Sequence, residues 1–170
     1  TPAEVLQEIM ERETFKEKGL LASNPNTPLD ILYKLYDMGY SHSLVQNPNA
    51  PTGLLQQIYD NTVSNPEEVR GQYNPNTHIF YDIARNPNAP QEVLRTLSTS
   101  RERISGSETI QGAVAKNPNT PLDILEGFAK LNEGSGIYID SRHDILHNPN
   151  IPEDLMNKII DMQNVGYYQN

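Results

Sequence analysis

The residues best suited to chemistry by type and spacing are His143 and His147, two imidazoles at i and i+4 with Asp144 between them. On a helix this spacing puts both rings on one face, near the His-Glu-x-x-His arrangement of zinc hydrolases. A working centre still needs a third ligand and a placed general base, and Asp140 and Glu153 are the acids at hand. Against it stands the pair Ile145/Leu146, which belongs to an apolar column found five times in the chain. Aligned on that column, His147 shares its place with Ser23, Gln46, Arg85 and Lys116, and His143 with Gly19, His42, Tyr81 and Gly112. These read as ordinary outward positions, so the expectation is a solvated face, with no catalytic, metal or cofactor-binding residue and no cofactor. A zinc-dependent hydrolase using His143 and His147 ranks last of three readings.

Other constellations are weaker. Ser105-Gly106-Ser107 and Gly134-Ser135-Gly136 lack the strand, lysine and helix of a phosphate loop and read as turns. Arg101-Glu102-Arg103 has an acid inside it and no aromatic run after it, which suits a solvated loop tip. Asp30, Glu92, Asp123 and Asp154 recur in one column and fit the electrostatics of helix starts. Of nine Tyr, Tyr73 and Tyr138 fall in links, where tyrosine serves as a binding anchor; those on helices also suit half-buried packing.

The composition narrows the class. Thirteen Lys plus Arg against 22 Asp plus Glu give a formal charge of -9, which disfavours tracking a phosphate backbone by counterion release. With no Cys, disulfides, thiolate catalysis and cysteine-ligated clusters are excluded within these residues. No run approaches the about 18 apolar residues of a membrane span, and no secretion signal is evident, so a soluble, by default cytoplasmic, domain is expected.

The elements that must position these residues come from a repeat. Asn-Pro-Asn-x-Pro begins at Asn24, Asn47, Asn86, Asn117 and Asn148, at spacings of 23, 39, 31 and 31. Before each anchor Asn lies an apolar pair: Leu21/Ala22, Leu44/Val45, Ile83/Ala84, Val114/Ala115 and Ile145/Leu146. After each second proline come Ile31/Leu32/Leu35, Leu54/Leu55/Ile58, Val93/Leu94/Leu97, Ile124/Leu125/Phe128 and Leu155/Met156/Ile159, one helical face each time. The first proline pushes its preceding Asn out of the helical region, and the second fits a helix start, so each joint reads as stop, turn, start. Thr27 and Thr120 suit helix caps; where Ala50, Ala89 or Ile151 stands instead, Asn49, Asn88 and Asn150 are expected to cap, giving weaker joints. Helices of about seven to nine residues before each joint and ten to twelve after it follow from the pattern. Asn74-Pro75-Asn76-Thr77 lacks the second proline and reads as a cap for the following helix. Insertions at 60–73, 98–107 and 132–140 leave equivalent points and should gather on one edge.

The flanked motif, seen at Leu21 to Leu35 and almost unchanged at Val114 to Phe128, resembles the leucine-rich repeat variant family. The resemblance implies an all-α, right-handed α-solenoid of short helix pairs without the β-sheet of ordinary leucine-rich repeats; HEAT-type arrays are a weaker match. The family's cysteine-ligated iron-sulfur module has no counterpart here, so no cluster is implied. One helical-repeat domain is expected over 1–164, with about five full repeats, a partial one at the N-terminus and a tail at 165–170. Thr1-Pro2 matches the middle of a joint, as an excised portion of a longer array or a missing first helix would give. The leading functional reading is a non-enzymatic scaffold that binds a protein partner or builds a larger assembly, with Tyr73, Arg101, Arg103, Tyr138 and Ile139 as candidate contacts. The alternative is a nucleic-acid-binding HEAT-like array, disfavoured by charge.

Overall fold

A computed structural model of the chain describes residues 8, 15–65, 76–105, 108–130 and 140–167. Among the described residues the chain is helical apart from one two-stranded hairpin. Helices fall in pairs about the five joints. They are α1 (Phe15–Ser23) and α2 (Leu29–Asp37); α3 (Ser41–Leu44) and α4 (Thr52–Ser64); α5 (Thr77–Arg85) and α6 (Gln91–Leu97); α7 (Ile110–Lys116) and α8 (Leu122–Lys130); α9 (Asp140–Ile145) and α10 (Glu153–Tyr167). Upstream helices run from four to nine residues and downstream ones from seven to fifteen, a wider spread than the pattern suggests. The short α3 follows a tight reversal at Gly39, where φ is +87°. There Gly39 N–H reaches Tyr36 O and Tyr40 N–H reaches Leu35 O, a Schellman closure that only glycine enters without strain. Helix α10 continues to Tyr167, beyond the 164/165 boundary expected for the tail.

The apolar columns form one continuous core. Leu21, Ala22, Leu44, Val45, Ile83, Ala84, Val114, Ala115 and Ile145 are buried from the upstream helices, and Leu32, Leu35, Leu54, Leu55, Ile58, Val93, Leu94, Leu125, Phe128 and Ile159 from the downstream ones. Each large side chain removed from water contributes about 1.5–3 kcal/mol, so this column supplies the main drive for folding. Upstream helices pack on one another, α1 on α3, α5 on α7 and α7 on α9.

The joints are built differently from the capping scheme. Pro28, Pro51 and Pro90 keep extended backbone with ψ of 150°, 143° and 136°, and the N–H of the fourth helical residue, Leu32, Leu55 or Leu94, returns to the proline carbonyl. Proline is thus the cap residue itself, and these helix starts have no side-chain cap. Thr27 and Thr120 turn the other way: their hydroxyls donate to Leu21 O (2.6 Å) and Val114 O (2.5 Å), fastening the turn to the upstream helix. Asn49, Asn88 and Asn150 do not cap either. Their carboxamides donate to Pro25 O, Pro48 O and Pro118 O of the preceding joint, at 2.8, 3.0 and 2.8 Å. Asn76 occupies the cap position of α5 without a side-chain cap bond, and Asn74 and Pro75 lie outside the described residues.

The anchor Asn makes the strongest tie. In every joint its Oδ1 accepts the backbone N–H two residues on, at 2.8–2.9 Å, closing an Asx turn. From the second joint onward its Nδ2 donates both protons to the previous joint. Asn47 reaches Ala22 O and Asn24 O, Asn86 reaches Val45 O and Asn47 O, Asn117 reaches Ala84 O and Asn86 O, and Asn148 reaches Ala115 O and Asn117 O. These bonds run 2.6–2.9 Å, and the four side chains are buried.

The 98–107 insertion departs from an all-helical chain. Arg103–Ser105 (β1) pairs antiparallel with Glu108–Thr109 (β2), so Arg101-Glu102-Arg103 leads into a hairpin and is not a free loop tip. Glu102 ties it down, accepting from Thr77 Oγ1 through its carboxylate and from Ile110 N–H through its carbonyl. Replacing Asn117 with Ala removes two buried bonds and one part-buried one and strands two carbonyls, so Asn117→Ala should lower stability by about 3 kcal/mol. Asn119→Ala, at a more exposed rung, should lose about 1 kcal/mol or less. Urea unfolding measures both; equal small losses would refute the ladder's dominance.

Candidate functional site

The interval between the third and fourth joints holds a groove of about 570 Å³. Tyr81 and Arg85 of α5 form one wall, Glu108 and Thr109 of β2 the end beside the hairpin, Gly112, Ala113 and Lys116 of α7 the floor, and His143 and Asp144 of α9 the far wall. A second cavity of about 420 Å³ lies on the other side of Arg85, against Gln46 and Asp82.

Local folding sets these residues in place. Thr109 is the N-cap of α7, its hydroxyl oxygen accepting Gly112 N–H at 2.9 Å, so the hairpin ends where the helix begins. Gln111 Nε2 donates to Ser98 O at 2.8 Å and fixes α7 against the end of α6. A Cβ at Gly112 would meet Asp144 Oδ2 at 2.4 Å, so only glycine lets α9 come this close. Asp144 is buried there and its carboxylate pairs with Lys116 Nζ at 2.6 Å. Partial burial makes this pair worth more than an exposed one, and removing the half-exposed Lys116 would leave the buried Asp144 carboxylate poorly compensated.

Tyr81 is half-buried, with the Arg85 guanidinium 5.5 Å from its ring centre. Its hydroxyl pKa is raised above the ordinary tyrosine value, chiefly by burial. Arg85 pulls it down, while the charge of Glu108 and its hydrogen bond to the phenol push it up. Far from the groove, on α6 and α8, Arg95 and Asp123 form a two-bond pair at 2.5 and 3.0 Å. That bond to Arg95 is the first cause holding the Asp123 carboxyl below its usual value, and Arg95 is raised in return, again chiefly by the bond. Both are solvent-exposed, so the pair adds little stability and loses it in acid, as pH falls through the lowered carboxyl value.

His143 and His147 are both exposed, their rings 4.7 Å apart. His147 Nδ1 is hydrogen-bonded to His143 O at 2.9 Å, which occupies one ring nitrogen with the turn's own backbone. Asp144 faces Lys116 instead of joining the rings. Among the described residues no three His, Asp or Glu side chains gather as a metal-binding group. The side chain of Asp140 lies outside them.

Of the contacts expected from sequence, Arg101 and Arg103 are exposed at the hairpin, and Tyr73, Tyr138 and Ile139 lie outside the described residues. Sequence reasoning missed the groove because Tyr81 and Gly112 fall in a column read as outward. Gly112 is buried and Tyr81 half-buried. The signal present was the column itself, which holds Gly19 and Gly112 where a Cβ would press on Ser43 (3.3 Å) and Asp144 of the next unit.

Comparison with protein-family models, with curated proteins and with solved structures finds no match for the chain.

Two outcomes test the site. Gly112→Ala should be net destabilising by about 1–3 kcal/mol despite the better helix propensity of alanine, because Asp144 must move. Adding Asp144→Ala should leave Gly112→Ala nearly neutral in a double-mutant cycle. The raised Tyr81 pKa means a contribution to stability that is full below the ordinary tyrosine value and lost as pH rises through the folded value. In ultraviolet difference titrations against Tyr81→Phe, Arg85→Ala should move this phenol further up and Glu108→Gln should move it down.

Proposed function

We propose that the chain is a non-enzymatic helical-repeat scaffold, a right-handed α-solenoid of the leucine-rich repeat variant kind, that binds a protein partner. The ladder of anchor Asn side chains, with each joint bonded to the one before, supports the stacked arrangement. The Asn-Pro-Asn-x-Pro motif with its apolar flanks supports the family assignment. The single observation that carries the binding reading is the meeting of insertion and groove. Glu108 and Thr109 of the hairpin form one end of the 570 Å³ groove, and the exposed Arg101 and Arg103 stand at the hairpin's other strand. Such insertions on a rigid stack are where repeat arrays usually meet partners.

The nucleic-acid alternative gains no support from the cations. Lys34 pairs with Asp30, Arg95 with Asp123 and Glu92, Lys116 with Asp144 and Lys130 with Glu126, and the formal charge of -9 opposes a phosphate backbone. No described helix is long and apolar enough to cross a membrane.

The test is selection of binders from a displayed library of random twelve-residue peptides, followed by amide chemical-shift mapping of the best binder on the labelled chain. Shifts centred on 81–85 and 101–113 are expected. Binders that shift only α2 and α4, or no binders at all, would overturn the reading.

A further inference from the structure

A cross-joint pairing recurs in two of the four intervals, and the interval between those two lacks its acceptor. In these two the residue just before an anchor Asn reaches the residue four places before the next anchor, whereas Ser23 of the first interval turns its hydroxyl back to Gly19 O and Leu20 O. Gln46 Nε2 donates to Asp82 Oδ2 at 2.9 Å, and Lys116 Nζ pairs with Asp144 Oδ1 at 2.6 Å. In the interval between them Arg85 holds the donor position, and the acceptor position is Ala113. Arg85 is exposed, stacks on Tyr81 and forms no ion pair among the described residues. The three acids lining the cavities beside it are engaged elsewhere, Glu108 with the Tyr81 hydroxyl, Asp82 with Gln46 and Asp144 with Lys116. The small side chain of Ala113 lines the groove at this point.

We propose that the missing carboxylate comes from outside: an Asp or Glu side chain of an extended partner segment lies in the groove against Arg85, as Asp144 lies against Lys116 one joint further on. This deepens the protein-binding reading and rests on it. A guanidinium presents a planar pair of donors that fits a carboxylate with two parallel bonds, and arginine in such a setting is a frequent interface anchor. The Tyr81 ring offers an apolar and hydrogen-bonding shelf beside it, which suits a peptide more than a bare ion. Glu108 and Asp144 balance Arg85 and Lys116 in charge, so the groove should select one placed carboxylate and reject polyanions.

The peptides selected on the wild-type chain supply the probe. They should share an Asp or Glu, and replacing it with Asn or Gln should weaken binding about tenfold or more. Arg85→Ala should weaken the acidic peptide by a similar factor and leave its amide version unchanged, while Arg85→Lys should retain part of the difference. Ala113→Asp should fill the vacancy and block the acidic peptide; if that buried change unfolds the chain, the exposed Arg85→Glu gives the same discrimination. Peptides that bind equally well as acid and amide, or that ignore Arg85, would overturn this inference while leaving a peptide-binding surface intact. An absence of any bound peptide defeats both. Displacement by free glutarate at millimolar concentration would assign the subsite to small dicarboxylates and overturn the partner as its source.

Discussion

A buried carboxamide at the start of each joint from the second onward holds the units to one another. Asn47, Asn86, Asn117 and Asn148 each use one acceptor for the local turn and two donors for the preceding joint. Only asparagine offers that set on so short an arm: aspartate has no donors, serine one, and glutamine reaches too far to close the turn. The bonds also answer a cost that the prolines create. An Asn-Pro step stops the helix and leaves carbonyls of its last turn without N–H partners, such as Ala22 O, Val45 O, Ala84 O and Ala115 O. Those are the carbonyls that the next anchor Asn satisfies. Helix termination and assembly of neighbours are therefore one event, which explains why the motif recurs with its apolar flanks intact.

Because the register is fixed at the joints, the chain between them is free to vary. Intervals of 23, 39, 31 and 31 residues return to the same pair of bonds. Lengthening a connection adds only slowly to the entropy of closing it, so insertions are tolerated where they leave the core. The 23-residue interval uses Gly39 to reverse within one turn, and the interval from Asn86 to Asn117 has room for a hairpin.

The legible part of the sequence was the part governed by local rules. Proline and alternating apolar positions act within a few residues, so the joints at Asn24 through Asn148 and the core columns from Leu21 to Ile159 could be read directly. Illegible were the partners of polar side chains, since a Thr or Asn beside a helix start can face the N–H groups ahead or carbonyls elsewhere. Thr27, Thr120, Asn49, Asn88 and Asn150 were assigned to the helix ahead, and in fact bind the chain behind them or the joint before them. The aligned column pointed to a solvated face at His143 and His147, but it could not show the turn carbonyl on His147 or the lysine on Asp144. The groove depended on contacts about thirty residues apart, such as Gly112 with Asp144, which leave only a bare glycine as their trace.

That trace has a general meaning within this repeat. The residue five places before one anchor lies against the residue four places before the next, and the two share a fixed space. Gly19 faces Ser43, and Gly112 faces Asp144: a missing side chain admits a polar one. Tyr81 and Ala113 reverse the order, with the bulk on the first helix and the small residue on the second, and both line the groove. A Gly–Asp arrangement brings the acid of the second helix down onto the cation of the first and closes the surface with an internal ion pair. A Tyr–Ala arrangement puts no carboxylate opposite the cation, which stacks on the ring and faces solvent. The same two columns thus decide, interval by interval, whether the stack spends its polar contacts on itself or presents them to another molecule, and Arg85 stands at the interval where they are presented.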